Sequence, residues 1–218
     1  MVRDIASALA VSVLLFVLVT AGAGPFPDSL RPPAPDTACL APMDSAVAVR
    51  LAAPLSGWLK KTEEGRPGFA LSGFRRVLQD TVVIRSWPWA TGELSADSVQ
   101  LSLRQRFGYI RYSPDRSRYV DLNLYGEIVV VKGDTQFSSG PDQLVKLVEP
   151  GRGTTALQSY GTGGRTEEAV WLDDSTVALA GWEEVEQPTY PYRAPTVKVL
   201  RLDSWQRTTF RWNAGGGK

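Results

Sequence analysis

Four features of this chain could do chemistry: adjacent carboxylates, a glycine-rich turn, a spaced Asp/Asn run, and aromatic rings held on either side of a proline. Acidic pairs stand at Glu63/Glu64, Glu167/Glu168, Asp173/Asp174 and Glu183/Glu184. Two carboxyl groups set about 5 to 9 Å apart can run glycoside hydrolysis, one as acid and the other as base or nucleophile. Neighbouring residues on a strand point to opposite faces, so none of these pairs meets that geometry by itself. Gly161-Thr162-Gly163-Gly164-Arg165 has no Lys-Ser/Thr end and leads into a strand. It lacks the helix N-terminus that a phosphate cradle requires and reads as a turn. Asp121-x-Asn123-x-Tyr125-Gly126-Glu127 begins like a calcium loop. Tyr125 occupies the fifth position, however, and Lys132 stands where a bidentate Glu is needed. Polar residues alternating on a strand account for it.

Absences narrow the chemistry further. The chain has no histidine, which excludes Ser-His-Asp and Cys-His catalysis and every His-liganded metal site. One cysteine, Cys39, excludes an internal disulfide and a Cys-rich metal cage. No Gly-x-Ser-x-Gly or Ser-x-x-Lys motif occurs. The expectation is therefore no catalytic set, no metal and no cofactor. With 24 Lys and Arg against 23 Asp and Glu, the chain also lacks the positive charge of a nucleic-acid binder.

Trp87-Pro88-Trp89 and Tyr190-Pro191-Tyr192 are better candidates for binding. Proline holds the flanking rings apart in a stiff arrangement that suits a platform for a sugar, a peptide or a partner surface. Trp182 joins Trp87, Trp89, Tyr190 and Tyr192 in the expected binding set. The alternative is that the rings cover the ends of the core.

These residues depend on elements that the rest of the sequence must supply. The N-terminus has a charged tip (Arg3, Asp4), an apolar run from Ile5 to Val19, and small residues with Ala21 and Ala23 spaced as in an A-x-A cleavage site. That is the layout of a secretory signal over residues 1–23. Read from Ile5 to Gly24, the stretch is also about long enough to span a bilayer. Either reading exports the remainder to a periplasmic or extracellular location, anchored to the inner membrane by residues 5–24 if the segment is retained. Cys39 is a lone linker thiol, since Asp36 stands where a lipoprotein signal carries a Leu-like residue. Residues 24–43 hold six prolines and read as an extended tether. A β-rich domain is expected over 44–214, long enough to bury a core.

Within that domain Val47 to Leu51 alternates like a strand. Residues 69–80 fit a short helix or a strand about equally, with Leu71, Phe74 and Leu78 at i, i+3, i+7 spacing. From Thr81 onward β-branched and aromatic residues recur in short runs separated by turn residues, among them SVQLSLRQRF, RYVDLNLY, EIVVVKG and TVKVLRL. QLVKLV could instead make a helical turn after Pro141. Residues 107–160 and 168–212 read as two copies of one four-strand unit. Asp115 matches Asp174 at an offset of 59, and Glu149 matches Asp203 at 54.

Trp171-Leu172-Asp173-Asp174-Ser175 followed by Val177-Ala178-Leu179-Ala180-Gly181 resembles the inner hairpin of a β-propeller blade of the WD-type or TolB-like families of exported bacterial proteins. Ser113-Pro114-Asp115 is similar to the equivalent turn one blade earlier. Those families usually place Gly after the Asp; here the residues are Arg116 and Ser175. The resemblance implies a mainly β fold of antiparallel, propeller-like blades, open or partial, with a β-sandwich as the alternative. The function expected is that of an exported, non-catalytic module binding a protein or glycan partner in the cell envelope. It would meet nucleic acid nowhere and membrane only through its N-terminal segment. A carboxylate-based hydrolase acting on envelope glycans is the second reading, and a structural domain without a ligand the third.

Overall fold

In the computed structural model of the chain the described residues are 40–81, 98–122, 127–138, 142–185 and 192–213. The N-terminal segment, Cys39, Trp87, Trp89, Asn123 and Tyr190 lie outside them. The fold is mainly β. A five-stranded antiparallel sheet is built from β1 (Phe74–Thr81), β8 (Gly164–Asp173), β9 (Thr176–Val185), β10 (Tyr192–Arg201) and β11 (Gln206–Trp212), in the order β1-β11-β10-β9-β8. A four-stranded antiparallel sheet contains β2 (Ile110–Tyr112), β3 (Tyr119–Asp121), β6 (Gln143–Glu149) and β7 (Gly153–Tyr160), in the order β2-β3-β6-β7. Each sheet is thus a four-strand meander, and the five-stranded one adds β1 beside its last strand. Both sheets are open, with no closed propeller ring among the described residues.

The duplicated pattern corresponds to these two meanders. Asp115 lies between β2 and β3 and Asp174 between β8 and β9, the first hairpin turn in each case. The two turns touch, the Asp115 N–H donating to Asp174 Oδ1 at 3.1 Å. The bonding role is displaced by one residue, however. Asp115 Oδ1 accepts from the Ser117 N–H, whereas in the second turn Asp173, not Asp174, accepts from the Ser175 N–H. Gly161 to Gly163 form the turn joining the meanders.

Two expectations about local structure change, and one tie is resolved. Val47 to Leu51 belongs to helix α1 (Ser45–Ala52), capped by Asp44, whose Oδ1 accepts from the Ala46 N–H at 2.7 Å. Val47, Leu51 and Leu55 recur at i, i+4, i+8, and that stripe packs on the sheet. A second helix, α2 (Ser56–Glu63), follows at once and buries Trp58. Residues 98–106, expected as a strand, form helix α3 (Ser98–Arg106). Gly108, at φ +74°, ends it, and the Tyr109 N–H reaches back to the Arg104 carbonyl. The tie over residues 69–80 resolves as a 3-10 turn at Leu71–Gly73 and then strand β1. QLVKLV is β6, a strand.

One hairpin was not anticipated in full. β4 (Glu127–Val131) and β5 (Asp134–Ser138) pair with each other between β3 and β6. Lys132 and Gly133, both at positive φ, make the tight turn between them.

The core has two layers. On one face of the five-stranded sheet Phe74, Ala178, Ala180, Val197 and Phe210 pack with Leu51, Leu55 and Trp58 of the helices. On the other face Val177, Leu179 and Leu200 meet Val120, Val145, Leu147 and Leu157 of the four-stranded sheet. β9 is therefore buried on both faces, which is why TVALAG shows no polar alternation.

Candidate functional site

The end of the five-stranded sheet beyond α2 carries the one member of the sequence-derived binding set that is described inside a cleft. Trp182 lies on β9, half-buried, across from Pro195 of β10 and Arg165 of β8. These cross-strand neighbours share the face toward the helices. The Arg193 guanidinium stacks over the Trp182 ring at 4.2 Å from its centroid. The Arg66 Nη2, from the loop after α2, donates to the Arg193 carbonyl oxygen at 2.7 Å. Lys61 comes from the last turn of α2, where its charge also suits the carboxyl end of the helix. The resulting open cleft has a volume of about 240 Å³.

Its electrostatics are one-sided. Lys61, Arg66 and Arg193 line it, and none of them has an ion-pair partner among the described residues. The acidic group in the lining is Glu167, and Glu167 Oε2 already accepts from Trp58 Nε1 at 3.0 Å. Trp58 itself is held in the core, in edge contact with Phe69 at 5.6 Å. One wall is therefore fixed, while Lys61 and Arg193 are exposed and Arg66 is half-buried.

Tyr192 begins β10 and is exposed, pairing with Val185. Trp182 pairs with Pro195, so an odd number of positions separates the two rings along the ladder. Their side chains consequently lie on opposite faces of the sheet. The structure does not bring Trp182 and Tyr192 onto one surface, and Trp87, Trp89 and Tyr190 fall outside the described residues.

A second polar cluster is buried between the sheets. Lys198 of β10 is paired with Glu183 of β9, and its Nζ lies 2.8 Å from Gln158 Oε1 and 3.3 Å from Tyr160 Oη, both on β7. Burial pushes the Lys198 amine below the usual lysine range, with the Glu183 carboxylate opposing. Burial also pushes the Tyr160 phenol above its ordinary value. Arg207 extends the network, donating to both Asp80 oxygens and, at 3.2 Å, to Gln158 Oε1. Each lysine proton donor meets an acceptor, and the side chain is only 6% exposed, so this cluster ties the sheets together.

The acidic pairs divide as strand geometry requires. Glu167 takes the Trp58 N–H while Glu168 pairs with Arg111 at 2.7 Å. Asp173 pairs with Arg50 at 2.6 Å while Asp174 accepts from the neighbouring turn. A larger groove of about 460 Å³ at the turn end includes Arg50, Asp173, Arg201 and Asp203 in its walls. Those four charges neutralise one another as two pairs, Arg50–Asp173 and Arg201–Asp203.

The cations of the Trp182 cleft were missed from the sequence. Trp58, Lys61 and Thr62 stand at i, i+3, i+4, a signal that shows only once residues 56–63 are read as a helix. Comparisons with family models, with curated proteins and with solved structures give no match, so the reading rests on the chain's own geometry.

Proposed function

We propose that this chain is an exported, non-catalytic β-rich module that binds a partner in the cell envelope, with the Trp182 cleft as its binding site. The observation that carries the reading is the Arg193–Trp182 stack in a cleft whose three cations lack ion-pair partners among the described residues. Trp, Tyr and Arg are the side chains over-represented at the energetic centres of interfaces, and stacking pre-orders the guanidinium so that less entropy is lost on binding. Engagement of Glu167, Glu168, Asp173 and Glu183 by cations or an indole supports binding over carboxylate hydrolysis.

The signal-like layout of residues 1–23 and the six prolines of residues 24–43 support the envelope location. The two meanders form, in this proposal, two successive propeller-like blades that stack without closing into a ring. Their common strand order and matched first turns support that reading.

The test is fractionation of cells expressing the full chain, followed by intact-mass measurement and recovery of bound partners. Recovery in the envelope fraction, with one partner lost on Trp182→Ala and retained on Trp205→Ala, a half-buried ring in the β10–β11 turn away from the cleft lining, is the expected result. A soluble full-length cytoplasmic form, or a partner indifferent to Trp182, would refute it.

A further inference from the structure

From the unpaired cations of the cleft we infer that the group it accepts is an acidic side chain presented by a partner protein. The inference rests on the binding reading above and names the chemistry that reading leaves open. Lys61, Arg66 and Arg193 line one open cleft of about 240 Å³, which has room for a side chain. Two of the three are arginines, whose planar forks match a carboxylate with two parallel hydrogen bonds.

Arg193 has one face on the Trp182 ring, which leaves its N–H edge for a ligand oxygen. The same stack covers that face of the indole, the surface on which a sugar ring would lie. An oxyanion on a short stem fits this arrangement better than a stacked glycan. Arg66 donates one N–H to the Arg193 carbonyl, which fixes its guanidinium beside the cleft and leaves other donors free. Arg165, cross-strand neighbour of Trp182, adds positive charge on the same face. Glu184 is opposite Arg193 in the ladder but forms no ion pair with it among the described residues. Glu167, the carboxylate in the lining, accepts from Trp58 through Oε2, and the lining holds three cations against this one carboxylate.

The groove at the turn end offers the contrast. There each guanidinium already holds a carboxylate of the same chain, Asp173 on Arg50 and Asp203 on Arg201. The pairing that the turn-end groove makes internally is what a partner would supply at the Trp182 cleft.

The experiment titrates the purified full chain with poly-L-glutamate, poly-L-glutamine, polyphosphate and polygalacturonate, and follows tryptophan fluorescence. Poly-L-glutamate should bind most tightly and lose affinity with added salt. The double variant Lys61→Gln/Arg193→Gln should weaken it by about tenfold or more, the scale of one lost charge-assisted contact. Arg152→Gln removes one positive charge from the exposed β6–β7 turn and should leave the affinity within about twofold. Circular dichroism of each variant checks the fold, and Arg66→Gln provides a second, independent removal of a cleft cation.

Equal binding of poly-L-glutamine, or equal weakening by Arg152→Gln, would overturn the inference. Tighter binding of polyphosphate or polygalacturonate would overturn it in favour of a different carrier of the oxyanion. If a partner is captured through Trp182 while no polyanion depends on the cations, the binding module stands and the acidic side chain falls. If poly-L-glutamate binds through the cations but capture ignores Trp182, the cleft's carboxylate chemistry stands, while the partner reading, and with it the inferred partner side chain, falls.

Discussion

β6 of the four-stranded sheet and β10 of the five-stranded one are the third strands of their meanders, and each carries a buried lysine, yet the two lysines do different work. Lys146 sits opposite Asp121 of β3, and Asp121 is itself bonded by Arg104 of α3 at 2.9 Å. That charge cluster is on the face turned away from the sheet–sheet core. Lys198 points into the interface and reaches Gln158 and Tyr160 of the other sheet as well as Glu183 of its own. Burial lowers both amines, with a carboxylate opposing in each case. The difference shows that one meander plan accommodates a charge on either face, provided that some element covers it and a carboxylate faces it. The five-stranded sheet is covered on one side by two helices and on the other by its sister sheet. The four-stranded sheet has the sister sheet on one side and α3 near the other.

The largest effect in this comparison should come from Gly181 of β9. A Cβ there would collide with the Arg165 carbonyl and lie 2.9 Å from Thr166 Cα, both backbone groups that cannot move aside. Gly181→Ala should cost about 5 kcal/mol or more, read as a collapsed denaturant midpoint. Gly164→Ala would press mainly on the buried Tyr160 ring, and should cost less because a side chain rather than a backbone carbonyl has to give. A midpoint for Gly181→Ala near that of the parent would mean that β8 and β9 do not approach as described.

The two lysines come next. Lys198→Ala leaves Glu183 and the β7 acceptors facing a gap and should cost about 3–5 kcal/mol. Lys198→Met combined with Glu183→Gln should restore most of that, since an apolar stem with a neutral partner carries no uncompensated charge. Lys146→Ala, which breaks no bond between the sheets, should cost less than Lys198→Ala in the same urea titration. The opposite order would place the energetic tie between the sheets elsewhere.

The first turns give a smaller effect. Arg116 sits at φ +58°, a conformation that costs an L-residue about 1–2 kcal/mol and that glycine adopts freely. Arg116→Gly should therefore raise stability by up to about 1 kcal/mol, less whatever is lost with the Arg116 guanidinium over Tyr112. Ser175→Gly, at a position without positive φ, should give no gain. Equal gains at both would mean that the two turns have the same backbone after all.

The smallest effect is a response to acid. The Ser113 and Ser117 hydroxyls and the Ser117 N–H hold the Asp115 carboxyl at about 2, below its ordinary 3.8. At Asp173 partial burial works the other way but is outweighed by the Arg50 guanidinium and the Ser175 N–H, again giving about 2. A carboxyl lowered on folding contributes stability that is fully present above its unfolded value and is lost as pH falls through the folded one. Both turns should thus weaken between about pH 4 and pH 2. Asp115→Asn and Asp173→Asn should each flatten the melting temperature across that window. A flattening in only one of them would separate turns that share a position in the fold.

The strands from β6 to β11 could be read from the chain because β-branched and aromatic residues fill them and turn residues punctuate them. The doubled meander was legible for the same reason. Three other elements were not. The Val47–Leu51 run satisfies both an alternating and a helical pattern, and the Asp44 cap together with a sheet face for Leu51 and Leu55 to cover decides for the helix. Residues 98–106 alternate apolar and polar, yet Gln, Arg and Leu are good helix formers, and Gly108 supplies a C-terminal stop. β5 reads as polar, and its partner strand defines it.

The candidate site divides along the same line. Composition alone removed histidine, disulfide and Cys-cage chemistry, because a missing side chain cannot be supplied by folding. Residue type also marked Trp182 and Tyr192 as rings suited to binding. Only the tertiary structure put them on opposite faces of one sheet, because register, not spacing, sets which way a strand residue points. It alone joined Arg66 to Arg193 across 127 residues of sequence and left their charges unpaired among the described residues. A net charge near zero is a property of the list of residues, whereas three cations gathered against one carboxylate exist only where distant segments meet.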